Sequence, residues 1–220
     1  DESTKAGRVQ SYATAQAHVQ GVAVLKPPEQ KTGERVAVIG GGPARVGCAA
    51  ELAQLGHDVV VYERKPEAGG LNTYGIAYYK MKPAVSLAEV ELVKSLGVEF
   101  RRGVEVGRDV PRAELERDFD AIFLGIGLGD GQRLRIPGED LPEVVEALAF
   151  IEKIHTEPLP ELSLGARVDV TGCGTTAREP ATQAPRPAAG SPIVVRRPRD
   201  EVGHARFDSD PATATRPGAA

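Results

Sequence analysis

The glycine-rich stretch at residues 35–70, RVAVIGGGPARVGCAAELAQLGHDVVVYERKPEAGG, constrains the fold more than any other part of the sequence. The apolar run at 36–39 is unbroken, which predicts a parallel strand buried on both faces. The glycines at 40–42 predict a tight turn, and Pro43 suits the first turn of a helix because the N–H that proline lacks has no partner there. The segment 58–63, DVVVYE, is the next predicted strand and completes a βαβ unit of the usual size.

Strand and helix patterns continue to alternate to residue 165, so we expect an α/β fold: a three-layer, Rossmann-like parallel sheet with helices on both faces. The first helix is expected to pack on the sheet through one apolar face. The run at 121–124 is apolar throughout and predicts a buried strand. That helix face comprises Cys48, Ala49, Leu52 and Leu55, and the further elements expected are helices near 11–20, 87–96, 112–117 and 144–154 and strands at 98–101 and 104–106.

Changes in composition divide the chain into four zones. Residues 1–34 are expected to form a helical lead and a linker, and residues 35–165 a partial Rossmann-like domain. Residues 166–200 begin a second, degenerate unit of strand, turn and helix. Residues 201–220 belong to a tail rich in Pro and Ala, which predicts irregular or disordered chain because proline interrupts helices. The predicted fold is therefore incomplete, with an irregular C-terminal tail.

Composition excludes several classes of function. The net charge is −4 with scattered positive charges, which argues against a nucleic-acid-binding face. The apolar runs are too short to span a membrane and the N-terminal residues lack a secretory signal, so a cytoplasmic location is expected. Two cysteines, Cys48 and Cys173, cannot supply the four ligands of an iron–sulfur cluster. The histidines show no metal-ligand spacing, and they are His18, His57, His155 and His204.

The turn Gly40-x-Gly42-x-x-Arg45 lies between a strand and a helix, which is the context of a dinucleotide-binding fingerprint. Gly40 permits the tight turn, and Gly42 lets the backbone approach a pyrophosphate at the positive end of the helix. Glu63 ends the second strand, where a carboxylate can accept hydrogen bonds from ribose hydroxyls. The alternative is a glycine turn that holds no ligand.

Arg45 stands where the fingerprint has its third glycine. That glycine normally allows the helix to pack closely on the strand. A long side chain there is expected to push the helix away or to point into solvent. It has the length to reach a phosphate, but we expect it to weaken nucleotide binding.

Four motifs in sequence order carry a family resemblance: VIGGGPA at 38–44, VYERKPEAGGLNTYGIAYYKMK at 61–82, FDAIFLGIGLG at 119–129 and IPGEDLPEVVEALAFIEKIH at 136–155. Over about residues 7–178 the chain resembles flavin- and pyridine-nucleotide-binding electron-input proteins. These include the glutamate synthase small subunit, the corresponding region of dihydropyrimidine dehydrogenase and the bacterial NAD-dependent dihydropyrimidine dehydrogenase flavin subunit. The motifs GGLNTYGIAYYK and FLGIGLG resemble the last of these most.

The resemblance implies that FAD lies on the first domain, that NAD(P)H lies on a second domain inserted into the first, and that iron–sulfur centres receive the electrons. It also assigns FAD contacts by position. The FAD pyrophosphate would be held by Gly40, Gly42, Pro43 and Ala44, and the adenosine ribose region would be contacted by Glu63 and Arg64. The pyrophosphate and ribityl chain would be lined by Gly69, Gly70 and Leu71. The adenine would be contacted by Val106, and the flavin would be passed by the strand end that contains Gly125 and Gly127.

A second glycine motif at 168–201 resembles the family's NAD(P)H site. Gly172-x-Gly174-x-x-Ala177 has the spacing of the fingerprint, with the permitted final alanine. Arg196 and Arg197 match a basic pair that meets an adenosine 2′-phosphate in the family. The arginine fork suits phosphate, so the resemblance allows NADPH as well as NADH.

Departures from the family pattern predict that this second site does not bind NAD(P)H. Asp169 falls in what should be a buried strand, where an unpaired carboxylate is costly. Pro180, Pro185 and Pro187 fall in the expected crossover helix, and each interior proline costs about 3 kcal/mol. We expect no helix past its first turn, so the helix dipole that attracts phosphate is lost.

The sequence leaves two classes of function open. One is an FAD-dependent NAD(P)H oxidoreductase subunit that feeds electrons to an iron–sulfur partner, of the dihydropyrimidine dehydrogenase type or the glutamate synthase small-subunit type. The other is a non-catalytic, truncated remnant of that family, favoured by Arg45 and by the prolines of the second motif. No catalytic side chain is expected in either case, because the cofactors carry the chemistry in such enzymes.

Overall fold

The computed structural model describes residues 6–22, 24–128, 131, 133–157, 168–171, 180, 193 and 194. The longest described helix has 14 residues, short of the roughly 20 that a bilayer-spanning helix needs. The helices are α1 (Ala6–Val19), α2 (Pro43–Gln54), α3 (Leu71–Tyr74), α4 (Pro83–Lys94), α5 (Arg112–Asp118) and α6 (Ala147–Thr156). The strands are β1 (Arg35–Ile39), β2 (Asp58–Glu63), β3 (Glu99–Arg102), β4 (Ala121–Leu124), β5 (Val170–Thr171) and β6 (Ile193–Val194).

The first four strands form one parallel sheet in the order β3-β2-β1-β4. In the register of β1, Ile39 lies beside Tyr62 of β2 and Leu124 of β4. All four strands therefore end at the same edge of the sheet. The strand order reverses between β1 and β4, and in open α/β sheets ligands bind beyond the strand ends at such a point.

Two apolar layers confirm the predicted three-layer arrangement. On one face, α2 and α4 cover valines of β1 and β2, and this core includes Val38, Val61 and Val90. On the other face, Ala37, Val60 and Tyr62 pack with Leu115 of α5. Successive strand residues point to opposite faces, which explains why the continuous apolar runs of β1 and β2 contribute to both layers.

Helix α2 begins and ends where the sequence indicates. Pro43 occupies its first turn, and Gly56 follows its end with a φ of +97°, a conformation that glycine adopts without steric cost. The predicted apolar face is only partly right. Ala49 is buried, but Leu55 is 66% exposed. The buried face consists mainly of small residues, which lets the helix lie close to the sheet, and it comprises Val46, Ala49, Ala50 and Ala53.

The prediction of a buried strand at 121–124 is right in its bounds but wrong in its burial. All four residues of β4 are exposed, and Leu124 is 67% exposed. Within the described residues β4 pairs only with β1, so it is an edge strand of the sheet. The segment 104–106, predicted as a strand, has only an isolated bridge between Val106 and Val110.

Helix α6 packs against α3 and the segment that follows it. Its buried face is formed by Phe150, Ile151 and Ile154. Lys65 Nζ lies 2.6 Å from the Glu152 carboxylate, which ties α6 to the loop after β2. His155 Nε2 lies 2.8 Å from the Ile76 carbonyl oxygen and therefore donates to it, because a carbonyl only accepts.

Strands β5 and β6 pair in parallel in a separate two-stranded sheet. Parallel pairing of successive strands requires a crossover connection, as predicted for the second unit. Of the connecting residues 172–192, only Pro180 is described, and its backbone is helical. The expected cost of burying Asp169 does not arise, since this residue precedes β5 and is exposed.

Truncation of Ile151 tests whether α6 is part of the folded core. Ile151 has no solvent exposure. Ile151→Ala is expected to lower the free energy of unfolding by about 2–5 kcal/mol, because it removes buried methyl groups and leaves a cavity. Urea denaturation measures this change. The matched control is Ile136→Ala, at a side chain that is 54% exposed, with an expected change within about 0.5 kcal/mol. Equal effects of the two variants would show that α6 does not pack as described.

His155 is expected to make stability depend on pH. Burial lowers the pKa of His155 below its ordinary value. The unfolded chain therefore takes up a proton before the folded chain does, and stability falls as the pH drops below about 6.5. Melting temperatures measured between about pH 7.5 and pH 5.5 should show this loss. In His155→Gln, which retains a side-chain N–H for the Ile76 carbonyl, the loss should be smaller. An unchanged pH profile in the variant would contradict the assignment.

Candidate functional site

The candidate site lies at the carboxyl edge of the sheet, where three loops meet. They follow β1 (residues 40–42), β2 (64–70) and β4 (125–128). Gly40 N–H donates to the Tyr62 carbonyl at 2.8 Å, and Gly125 N–H donates to the Ile39 carbonyl at 3.0 Å. These bonds extend the β1–β2 and β1–β4 ladders by one step, so the loops leave the sheet side by side.

The loop after β1 has the conformation that a phosphate-binding turn requires. Gly40 has a φ of +98°, which favours glycine. Gly42 is the N-cap of α2, and no side chain caps this helix end. Pro43, the next residue, has no N–H to satisfy. In the first turn of α2 the Arg45 N–H donates to the Gly42 carbonyl at 3.0 Å, so the Ala44 N–H and the positive end of the helix dipole are what this turn offers to a ligand.

Glu63 connects the loop after β1 to the loop after β2. It is the last residue of β2 and is only 7% exposed. Its Oε2 accepts from the Gly41 N–H at 2.6 Å, and its Oε1 accepts from the Lys65 N–H at 2.8 Å. The acid predicted to bind ribose thus also holds the glycine turn in place. Arg64, the next predicted contact, is exposed.

The Gly69–Gly70 pair lies directly against the first turn. Gly69 N–H donates to the Gly41 carbonyl at 2.7 Å, and both glycines have positive φ, +108° and +55°. A Cβ on Gly70 would lie 2.7 Å from Gly42 Cα. Only glycine permits this approach of the two backbones. A pair of glycines that by itself would predict a plain turn is therefore part of the candidate site.

The glycines after β4 complete a cradle around the first turn. A Cβ on Gly40 would lie 2.5 Å from the Gly125 carbonyl oxygen. Gly127 has a φ of +80°. The structure therefore brings together residues that are far apart in the sequence, and we call this set the glycine cradle: Gly40, Gly42, Gly69, Gly70, Gly125 and Gly127.

Arg45 takes neither of the orientations expected for it. It neither displaces α2 from the sheet nor points wholly into solvent. Its aliphatic stem lies against Gly125, where a Cβ would be 2.6 Å from Arg45 Cγ and 2.8 Å from Cδ. Its guanidinium lies over Gly42, where a Cβ would be 2.8 Å from Nη1. The side chain therefore crosses the glycine cradle.

The remaining predicted contacts lie at the margins of the cradle or outside the described residues. Pro43 and Ala44 are exposed at the start of α2, and Leu71 is exposed at the start of α3. Val106 is half-buried and packs with the core on the α5 side of the sheet. The second-motif residues fall outside the described part of the chain, namely Gly172, Gly174, Ala177, Arg196 and Arg197.

A buried hydroxyl pair, which no sequence pattern indicates, supports the cradle. Thr73 Oγ1 lies 2.7 Å from the Ala68 carbonyl and donates to it, and it lies 2.9 Å from Ser86 Oγ. A Cβ on Gly69 would overlap both hydroxyl oxygens. Thr73 and Ser86 thus join α3, α4 and the Gly69 turn. Hydroxyl residues thirteen positions apart carry no pattern that indicates such a contact.

Side-chain chemistry near the cradle is sparse. Burial raises the pKa of the half-buried Cys48 thiol, which keeps it in its unreactive neutral form. Burial also raises the pKa of Tyr74, whose hydroxyl accepts from the Glu67 N–H at 2.9 Å. Among the described residues no group of His, Cys, Asp and Glu has the arrangement of a metal site.

Comparisons with known proteins agree with this architecture. The sequence matches the family described as pyridine nucleotide-disulphide oxidoreductase over residues 34–210. It is 39% identical over 206 residues to the glutamate synthase (NADPH) small chain of Halomonas elongata, covering 89% of this chain and 43% of that protein. It is 34% identical over 174 residues to the NADP(+)-dependent formate dehydrogenase subunit beta of Moorella thermoacetica, covering 78% and 24%. The chain thus spans less than half the length of these relatives.

Among solved structures, Mycobacterium tuberculosis FprA in complex with NADPH is similar to this chain with a TM-score of 0.57. The sequences are 29% identical, and the likeness covers 67% of this chain and 35% of FprA. The likeness agrees with the parallel, Rossmann-like sheet described above. The predicted fold class is therefore confirmed.

Removal of the Glu63 carboxylate tests its role in holding the glycine turn. Glu63→Ala is expected to lower the free energy of unfolding by about 3–5 kcal/mol, because two hydrogen bonds to a charged acceptor are lost and two N–H groups lose their partner. Glu63→Gln keeps one acceptor oxygen and should lose roughly half as much. Urea denaturation measures both. Glu116→Ala, at an exposed carboxylate paired with Arg112, is the control and should change stability by less than about 1 kcal/mol.

Proposed function

The chain belongs to the pyridine nucleotide-disulphide oxidoreductase family, and from this premise we propose that residues 35–128 form the FAD-binding part of an NAD(P)H-dependent electron-input subunit of the glutamate synthase small-chain type. The observation that carries the proposal is the glycine cradle at the carboxyl edge of β1 and β4. FAD and NAD(P)H are the cofactors that the family and the likeness to FprA support.

The backbone of the cradle fits a dinucleotide pyrophosphate. The uncapped start of α2 offers the Ala44 N–H and a positive dipole end to the phosphates. The glycines let the backbones of the three loops approach one another more closely than a Cβ would allow. Gly40, Gly42 and Ala44 would hold the pyrophosphate, and Gly70 and Gly125 would flank it.

Glu63 would hold the adenosine ribose. Its oxygens accept one N–H each, from Gly41 and Lys65. A carboxylate oxygen has two lone pairs, so each retains capacity for a ribose hydroxyl. Because the two N–H groups orient the carboxylate before the ligand arrives, little entropy would be lost on binding.

The proposed division of labour places the chemistry in the cofactors. The chemistry that FAD would supply when bound is to accept a hydride from a reduced nicotinamide and to pass the electrons on. This chain's residues bind and orient the cofactor. The parallel pair β5–β6 supports residues 166–200 as the start of the nicotinamide-nucleotide unit. An iron–sulfur partner subunit would receive the electrons, by analogy with the multi-subunit enzymes to which the relatives belong.

Two narrower proposals differ in the electron acceptor, and they are the glutamate synthase type and the dihydropyrimidine dehydrogenase type. The 39% identity to a glutamate synthase small chain favours that type. The motifs GGLNTYGIAYYK and FLGIGLG favour the dihydropyrimidine dehydrogenase type, which stays a prediction from the sequence. A non-catalytic remnant is the alternative from another class, and it predicts a folded chain without affinity for FAD.

FAD binding tests the proposal, with two glycine variants as a matched pair. The chain is titrated with FAD, and the quenching of flavin fluorescence gives the affinity and stoichiometry. We expect one FAD per chain. Gly70→Ala should abolish binding, because its Cβ would meet Gly42 Cα at 2.7 Å.

The control is Gly103→Ala. Gly103 also has a positive φ, +70°, but a Cβ there meets nothing within 4 Å. It therefore carries the same kind of backbone strain without touching the cradle, and it should bind FAD as the parent does. A folded parent chain that binds no FAD would contradict the proposal and favour the remnant. If FAD binds, reduction of the bound flavin by NADH or NADPH identifies the preferred nucleotide.

A further inference from the structure

Arg45 occupies the part of the glycine cradle that a pyrophosphate would need. Its stem lies on Gly125, and its guanidinium extends over Gly42, with Nη2 3.5 Å from the position of a Cβ on Gly127. These are the glycines whose missing side chains leave room for a ligand. The space that the backbone leaves open is therefore filled by a side chain of the same chain.

The position of Arg45 is electrostatically unfavourable. Arg45 Nε is buried and has no hydrogen-bond partner among the residues that the structure describes. A buried donor without a partner is destabilising. The guanidinium also lies at the N-terminal end of α2, where the helix dipole disfavours a positive charge. Packing of the aliphatic stem against Gly125 offsets part of this cost.

Nothing in the described structure locks the guanidinium in the cradle. Arg45 takes part in none of the ion pairs or cation–π contacts found among the described residues. Arg45 is half-exposed, so its side chain has a route to solvent. Rotation about its side-chain bonds would clear the cradle without moving α2 or β4.

We propose that Arg45 is a plug of the glycine cradle: its side chain fills the pyrophosphate position, and FAD binds only after the side chain rotates out. This inference rests on the proposed function, because it takes FAD as the ligand. In the plugged state the cradle is not competent to bind. The apparent dissociation constant is then raised in inverse proportion to the open fraction.

The test compares FAD affinity in the parent chain, Arg45→Ala and a control on the same helix, Glu51→Ala. Glu51 lies on the exposed face of α2, so the control makes the same change of helix propensity away from the cradle. Flavin fluorescence titration gives the dissociation constants, and thermal unfolding shows that each chain is folded. Arg45→Ala is expected to bind FAD about tenfold or more tightly than the parent, and Glu51→Ala within about twofold of it.

The outcomes separate the plug from the proposed function. If the parent binds FAD and Arg45→Ala binds it no more tightly, or more weakly, the plug is wrong while FAD binding stands. If neither folded chain binds FAD, both proposals are wrong. If Arg45→Ala binds and the folded parent does not, the plug is supported, while the proposed function is contradicted for the parent chain. Should Arg45→Ala not fold, Arg45→Met replaces it, because methionine keeps an apolar stem against Gly125 and lacks the guanidinium. Arg45→Met is then also expected to bind FAD more tightly than the parent.

Discussion

The buried carboxylate of Glu63 is the interaction on which the rest of the site depends. It accepts from Gly41 after β1 and from Lys65 after β2, so a single side chain joins the loops that leave two neighbouring strands. A charged acceptor in a buried position forms strong hydrogen bonds, and it would be costly without them. The position of the glycine turn relative to the sheet is therefore determined by β2 as much as by β1. The buried contact of Thr73 with Ser86 then holds the Gly69 turn against that arrangement.

Arg45 creates a conflict between the backbone and one side chain. The backbone has the positive φ values, the uncapped helix end and the close glycine contacts of a phosphate-binding turn. The side chain at the third position of the fingerprint places a cation where the helix dipole disfavours it. Helix α2 nevertheless stays close to the sheet, because Gly125 leaves room for the arginine stem and because the buried face of α2 is made mostly of alanines. The turn thus keeps the backbone geometry of a phosphate-binding turn although the Arg45 side chain lies across it.

Several elements show which structural features can be predicted from patterns in the sequence. The bounds of β2 and β4 and the start of α2 agree with the sequence, because strand runs, Pro43 and the glycines act locally. The burial of side chains agrees less well with the sequence patterns. Leu55 fits the helical period but is exposed, since it lies at the end of α2, where it is the C-cap. The apolar run of β4 predicts a buried strand, yet β4 lies at the edge of the sheet, and strand order is not encoded in the composition of one strand. Asp169, expected within a buried strand, precedes β5 and is exposed.

The sequence by itself determined the α/β class and the strand–turn–helix unit, because these follow from local periodicity and from the conformational freedom of glycine. The glycines after β2 and β4 were indicated only by the family resemblance. Only the tertiary structure decided that the glycines after β2 and β4 converge on the turn after β1. It alone decided that Glu63 holds that turn, and that Arg45 lies across the cradle rather than in solvent. The reason is physical: these contacts join residues from 22 to 85 positions apart, as from Gly41 to Glu63 and from Gly40 to Gly125, and no local pattern specifies how separate loops pack.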